Sequence, residues 1–99
     1  MIIKKHNISG ATAVLLIDST DTTNATQINL ANVHATDAAA VDLYLTEGTS
    51  TYYIFKNVSI PAGSTMVVNG LELDFDREEY SLYVKLGAGG STVDVITRY

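Results

Sequence analysis

The sequence has no cysteine, which excludes a disulfide framework, a thiolate nucleophile and any cysteine-based zinc or iron–sulfur site. Its stability therefore has to come from packing or from oligomerisation. Tryptophan is also absent and proline occurs once, at Pro61, so most turns fall to glycine and short polar side chains. Basic residues are few. Six Lys and Arg against eleven Asp and Glu give a formal net charge of -5, a surface that on average repels phosphate, and nucleic acid is not an expected partner. Long apolar runs are missing too: the longest, Ala13 to Ile17, is far too short to span a bilayer, and no membrane association is expected. The start, MIIKKHNIS, carries two lysines but no apolar stretch behind them, so no export signal is expected. The sequons at Asn7, Asn24 and Asn57 are accordingly expected to stay unmodified.

What is present is a period of two. In AVDLYLTE, Val41, Leu43 and Leu45 alternate with Asp42, Tyr44 and Thr46, and in EYSLYVKLG, Tyr80, Leu82, Val84 and Leu86 alternate with Ser81, Tyr83 and Lys85. Both read as half-buried strands whose apolar sides face one core. Gln27 to His34, Thr51 to Ile60, Ser64 to Phe75 and Ser91 to Tyr99 carry similar β-branched and aromatic enrichment, and Ile2 to Ile8 and Ala13 to Ile17 are further candidates. Between them lie segments rich in Gly, Asp, Asn, Ser and Thr. Only ATDAAAVDLYL competes as a helix, with Asp37 as its cap, and the alternation from Val41 onward limits that to one turn. Pro61 suits the second position of a β-turn in which Gly63 takes a positive φ, Gly87 to Gly90 suit a final hairpin, and Asn69-Gly70 marks a tight turn or a bulge. These signals predict a single all-β domain over 1–99, an antiparallel β-sandwich of jelly-roll or immunoglobulin type with seven or eight short strands, in which 1–8 form an arm or edge strand. At 99 residues such a chain buries about 65% of its unfolded surface, enough for one core.

Candidate chemistry is sparse. His6 and His34 fall in different strands, no serine sits in a nucleophile-elbow pattern, and a catalytic triad is not expected. Asp74, Asp76, Glu78 and Glu79 suggest a calcium loop but lack its glycine and its ladder of ligands, so they read as an acidic turn. DSTDTTN at 18–24 reads as a solvated loop, and GAGGS at 87–91 lacks the lysine of a phosphate loop. No catalytic residue, cofactor or metal ligand is assigned. Tyrosine is the informative residue: there are six, against two phenylalanines. Tyr44 and Tyr83 lie opposite the apolar alternation, and adjacent Tyr52 and Tyr53 must point to opposite sides of their strand. Exposed tyrosine fits a protein interface, and cross-strand pairs on a solvated sheet face fit the same observation.

The order of elements resembles a family. ISGATAVLLID is followed by INLANVHATDAAAVDLYLTEG, then by FKNVSIPAGSTMVVN and a closing GLELDFDREEYSLYVKLGAGGSTVDVITRY. This is similar to small virion structural proteins of tailed bacteriophages of marine and cyanobacterial type, in which an I-x-L-x-N strand, a V-x-L-Y-L strand, a V-x-I-P-A-G-S corner and a last valine- and isoleucine-rich hairpin succeed one another. The likeness runs over nearly the whole chain, though DSTDTTNAT stands where the family usually has its own Pro-Ala-Gly corner. The resemblance implies a non-enzymatic virion protein, assembled in the host bacterial cytoplasm: a capsid decoration or cement protein in many copies, or a small neck, tail or baseplate component. It implies other virion proteins as partners (the major capsid protein or tail proteins) and a homo-oligomer, a trimer by analogy with decoration proteins at threefold positions. The expected interface residues are Ile2, Ile3, Tyr44, Tyr52, Tyr53, Tyr83 and Tyr99. The alternative from another class is a glycan- or receptor-binding module, with Tyr52 or Tyr53 stacking on a sugar beside Asn57.

Overall fold

A computed structural model describes residues 3–21, 24–70, 73–87 and 92–99. Among these residues the regular structure is all β: β1 (Ile3–Ser9), β2 (Val14–Ile17), β3 (Gln27–Asn32), β4 (Ala39–Glu47), β5 (Ser50–Ile60), β6 (Thr65–Asn69), β7 (Ser81–Leu86) and β8 (Thr92–Arg98). They form two four-stranded antiparallel sheets, β1-β8-β3-β6 (sheet A) and β2-β7-β4-β5 (sheet B). The pairings are nested: β4 with β5, β3 with β6, β2 with β7, β1 with β8. The chain therefore behaves as one long two-stranded ribbon folded back on itself, its successive segments falling into alternate sheets. That strand order is the jelly roll. The molecule's shortest extent is 19 Å, the depth of two layers packed about 10 Å apart.

Alternation decides which side of each strand is inside. Val41 and Leu43 of β4 and Leu82, Val84 and Leu86 of β7 are buried together, and from sheet A they meet Ile28, Leu30, Val93 and Val95. Leu45, expected in the same set, is only half-buried, because it lies near the end of the sandwich. Ile8 of β1 is also in the core, and Ile3 is exposed. The first strand thus closes its own sheet against β8, from Ile3 opposite Arg98 to Ser9 opposite Thr92.

The one buried amide in this core is Asn32, at the end of β3. Its Nδ2 donates to the carbonyls of Asp37 (2.8 Å) and Ile60 (2.9 Å), and its Oδ1 accepts from the His34 N–H (3.0 Å). Its backbone N–H donates to Ser64 O, and its carbonyl accepts from Gly63 N–H. The Pro61 corner is thereby held against β3. Pro61 opens that turn and does not take its second position: Ser64 N–H donates to Pro61 O, leaving Ala62 and Gly63 in the centre, with Gly63 at φ 74°. A positive third residue with glycine in it is the expected chemistry, shifted by one position.

Two other expectations are corrected, and the limit of one turn set on the stretch 35–45 holds. The strand predicted from Ser64 to Phe75 stops at Asn69, because Gly70 lies against the Thr26 backbone, where a Cβ would come within 3.1 Å of the carbonyl oxygen. Leu73 is buried from a turn closed by its own N–H on Gly70 O, so its apolar side chain did not signal a strand. Tyr80 precedes β7 and is half-buried outside the core. The stretch that competed as a helix instead forms a His34-centred turn and then enters β4 at Ala39.

Two outcomes are expected from this packing. Leu43→Ala and Leu82→Ala should each cost about 2–5 kcal/mol in urea unfolding, whereas Leu15→Ala, on the outer side, should cost under about 0.5 kcal/mol. Asn32→Ala removes three side-chain hydrogen bonds and strands the buried Ile60 carbonyl, whereas the partners in Asp37 and His34 are only part-buried. With about 1–3 kcal/mol for the stranded carbonyl and about 0.5–1.5 kcal/mol for each of the other bonds, a loss of about 2–5 kcal/mol is expected in the same assay, and a loss below about 1 kcal/mol would contradict the role given to this amide.

Candidate functional site

The outer side of sheet B carries one row of side chains that crosses all four strands in register. Leu15 of β2 lies opposite Tyr83 of β7, Tyr83 opposite Tyr44 of β4, and Tyr44 opposite Tyr53 of β5. Leu15, Tyr83 and Tyr44 alternate with core residues of their own strands, so the inside packing forces them outward, and Tyr53 joins the row through its pairing with Tyr44. The Tyr44 and Tyr83 rings are stacked, with centroids 5.8 Å apart and planes 11° from parallel, and the Tyr53 ring tilts against Tyr44 at 5.4 Å and 55°. Tyr53 is 48% exposed and Leu15 39% exposed.

A bulge in β5 shapes the open end of this row. Val41 pairs with Val58 and Leu43 with Phe55, so Asp42 alone faces two residues, Lys56 and Asn57. Asn57 takes the left-handed φ of 56°, which Asn tolerates better than most residues. Its backbone N–H, turned out of the ladder, donates to Asp42 Oδ1 at 2.7 Å. The displaced Lys56 reaches over the Tyr53 ring, its Nζ 4.9 Å from the centroid. A second shift, with Phe55 opposite Leu43 and Tyr53 opposite Tyr44, sets Ile54 outside the pairing.

The electrostatics follow from the crowding. Burial, then Tyr53, Tyr83 and the Asp42 carboxylate, raise the Tyr44 phenol above its ordinary value, so it stays a neutral O–H. Among the described residues no hydroxyl of Tyr44, Tyr53 or Tyr83 has a hydrogen-bond partner, and Lys85, although opposite Asp42 in the ladder, makes no ion pair with it. The face offers uncommitted donors around an apolar strip. It is a flat surface and not a cleft.

Of the residues singled out in the sequence, Tyr44, Tyr53 and Tyr83 are thus brought together. Tyr52 is exposed, but it pairs with Leu45 and points to the opposite side of β5. Tyr99 packs against the core, its hydroxyl donating to Leu16 O at 3.4 Å and the Lys4 ammonium 5.6 Å from its ring. Ile3 lies at the far edge of sheet A, and Ile2 falls outside the described residues. His6 shares the inward side of β1 with Lys4 and Ile8, and its Nε2 is buried with no hydrogen-bond partner among the described residues. His34 is a turn residue: its Nδ1 accepts from the N–H groups of Thr36 and Asp37. The two histidines belong to separate places, one in β1 and one in the turn before β4.

The acidic run from Asp74 to Glu79 forms a turn in which the Glu78 N–H donates to Asp76 Oδ1, Asp74 accepts from Asn24, and Tyr80 N–H closes on Asp76 O. The Glu79 carboxyl, hydrogen-bonded to Glu47 and close to its charge, is pushed above the usual carboxylate range. Among the described residues no group of three or more His, Cys, Asp or Glu side chains is placed to hold a metal ion. In the 18–24 loop Asp18 accepts from the Thr20 backbone and hydroxyl, which lower its pKa, and Asp21 pairs with Lys4 at 2.5 Å while its carbonyl accepts from Arg77. Ala88 to Ser91, the rest of the glycine-rich segment, lie outside the described residues.

Sequence reasoning did not find Leu15, Asp42, Lys56 or Lys85 as parts of a site. The signal for Leu15 and Lys85 was their place in alternating strands. For Lys56 there was none, since the bulge contains no glycine to announce it. No protein-family model matches this chain, and a search of curated proteins found no match either.

Proposed function

We propose that this protein is a non-enzymatic structural component of a tailed-phage virion, a decoration or cement protein present in many copies, and that it attaches through the tyrosine face of sheet B. The observation that carries the reading is the in-register row Leu15, Tyr83, Tyr44 and Tyr53 on the outer side of sheet B, its two ends exposed and its two central rings half-buried. Tyrosine gives large contact area at a small entropy cost and keeps a polar tip, which is the chemistry of protein interfaces. The jelly roll supports the reading as analogy, being a recurrent capsid architecture that also serves lectins and other unrelated functions. The order of sequence elements adds the phage resemblance. On a particle each contact can be modest, because the lattice holds the copies at high effective concentration. Other virion proteins are the partners in this reading, and the copies act as a homo-oligomer, a trimer by the same analogy.

The tyrosine geometry argues against Tyr53 as the sugar platform of the glycan-binding alternative, and leaves Tyr52, exposed on the opposite side of β5, to the glycan array. A sugar stacks on a free ring face, but Tyr44 has Tyr83 and Tyr53 against it, and Lys56 lies over Tyr53. The edges are a poor route to assembly as well. β1 turns Lys4 and His6 inward, β2 and β5 are bulged, and β6 has five residues, all devices that discourage strand addition.

The test is cosedimentation of the purified chain with particles of its own phage prepared without it. Wild type should bind in many copies, and Tyr44→Ser/Tyr83→Ser should bind at least about tenfold more weakly, as for central interface aromatics. Its melting temperature should fall by only a few degrees, since both rings lie outside the core and a ring pair is worth about 0.5–1.5 kcal/mol. If wild type fails to sediment and instead binds a glycan array, the structural reading is lost to its rival.

A further inference from the structure

The outer side of sheet B differs in charge from the rest of the molecule. The outward positions of its strands carry three formally charged side chains, Asp42, Lys56 and Lys85, a sum of +1, whereas Glu47, the fourth charge in these strands, falls on the opposite alternation at the end of β4; the remainder of a chain of net charge -5 thus carries -6. The Asp42 carboxylate is already committed to the Asn57 N–H. What faces outward is two ammonium groups and three phenol hydroxyls without partners among the described residues, arranged around a strip of apolar area.

We propose that this face docks a carboxylate-bearing protein surface, with Lys56 and Lys85 supplying the charge, and that the Asp42-held bulge of β5 is the part that keeps Lys56 in position. The inference rests on the structural role proposed above and names the chemistry of its partner. Donors without acceptors, in a cationic patch on an acidic protein, select an acceptor-rich anionic surface. The apolar strip between the charges, with Leu15 and Tyr53 both exposed, favours a protein over a wholly polar anionic glycan, because the strip is stabilised only when apolar area covers it.

Asp42 is a positioning residue here. It faces both Lys56 and Asn57, and its oxygen accepts the one N–H that the left-handed Asn57 turns away from the ladder. With that acceptor removed, the bulge loses what holds it open, and Lys56 loses its place over Tyr53. Simple electrostatics makes the opposite forecast, since deleting a carboxylate from a cationic face should strengthen the binding of an anionic partner. The two effects are separable by substitution: Asp42→Asn keeps an acceptor oxygen without the charge, whereas Asp42→Ala removes both.

The experiment is an amide NMR titration of the full chain with poly-L-glutamate, with dextran sulfate and neutral dextran in parallel, alongside sedimentation of the chain alone. Poly-L-glutamate should shift the amides of Tyr44, Tyr53, Lys56, Tyr83 and Lys85 saturably, and the affinity should fall when salt rises from about 0.05 to about 0.3 M, as expected for exposed charges. Lys56→Glu/Lys85→Glu should weaken binding about fivefold or more with its spectrum otherwise that of a folded chain. Asp42→Asn should bind as well as wild type or better, and Asp42→Ala at least about threefold more weakly than Asp42→Asn. Shifts elsewhere than on this face, shifts undiminished by the charge reversal, or a face that answers dextran sulfate and not poly-L-glutamate would each overturn the partner assignment. Self-association of the wild type through these residues would overturn it too, by making a second copy the occupant. Equal binding by Asp42→Ala and Asp42→Asn would remove the positioning role. Particle attachment that survives Lys56→Glu/Lys85→Glu would sink this inference alone, whereas a wild type that never attaches would sink the virion reading beneath it.

Discussion

Two hydrogen bonds donated by the side chain of Asn32 tie the end of sheet A to the chain segments that run into and out of sheet B. The amide sits in sheet A, at the point where the chain leaves β3, and its donors end on Asp37 O, just before β4, and on Ile60 O, at the end of β5. Both strands belong to sheet B. The backbone of the same residue holds the corner that brings the chain back to sheet A through β6. One residue therefore governs both crossings of the folded ribbon next to its central hairpin. An apolar core tolerates sliding and repacking, but a buried amide is stable only in the geometry that satisfies it. Everything further out on the ribbon takes its register from this end.

The face that the protein presents is a by-product of that constraint. Once Leu43 and Leu82 are inside, Tyr44 and Tyr83 have to be outside and opposite each other. Their rings shield one another, so the surface they make is one of hydroxyls and ring edges set in a sheet too rigid to reshape. The bulge in β5 then does two jobs: it spoils an edge that a foreign strand would otherwise extend, and it places a cation where the row of rings ends.

The all-β class, the position of most strands and the inward set of β4 and β7 were legible in the sequence, because period-two alternation is local and the core enforces it. Tyr44 and Tyr83 could be assigned to an outer surface on the same ground. Their meeting with Tyr53 and Leu15 could not, since it depends on register between strands far apart in the chain. Asn32 read as a polar residue in a strand, and only its three partners, two in the loop between β3 and β4 and one in the other sheet, explain why it is buried. The alternation in LELDF imitated a strand because Leu73 is buried for a different reason, as the plug of a turn. Tyr99 and Tyr52 show the limit of counting aromatics: the same residue type serves the core in one place and an exposed edge in the other.

The nested pairing also ranks the strand pairs by the length of chain that each must close. The β4–β5 hairpin closes across Gly48 and Thr49 alone, with the positive φ on Gly48 that a two-residue connection of this hand needs, and so it can form as soon as both strands exist. Every later pair joins segments farther apart, until β1 meets β8 across almost the whole chain. Of these eight strands the first to be synthesised has its partner made last, and Ile8 stays uncovered by β8 until Thr92–Arg98 has been made. The jelly roll thus closes like a zipper from its middle, and the basic side chains of Lys4, Lys5 and His6 guard the strand that waits longest.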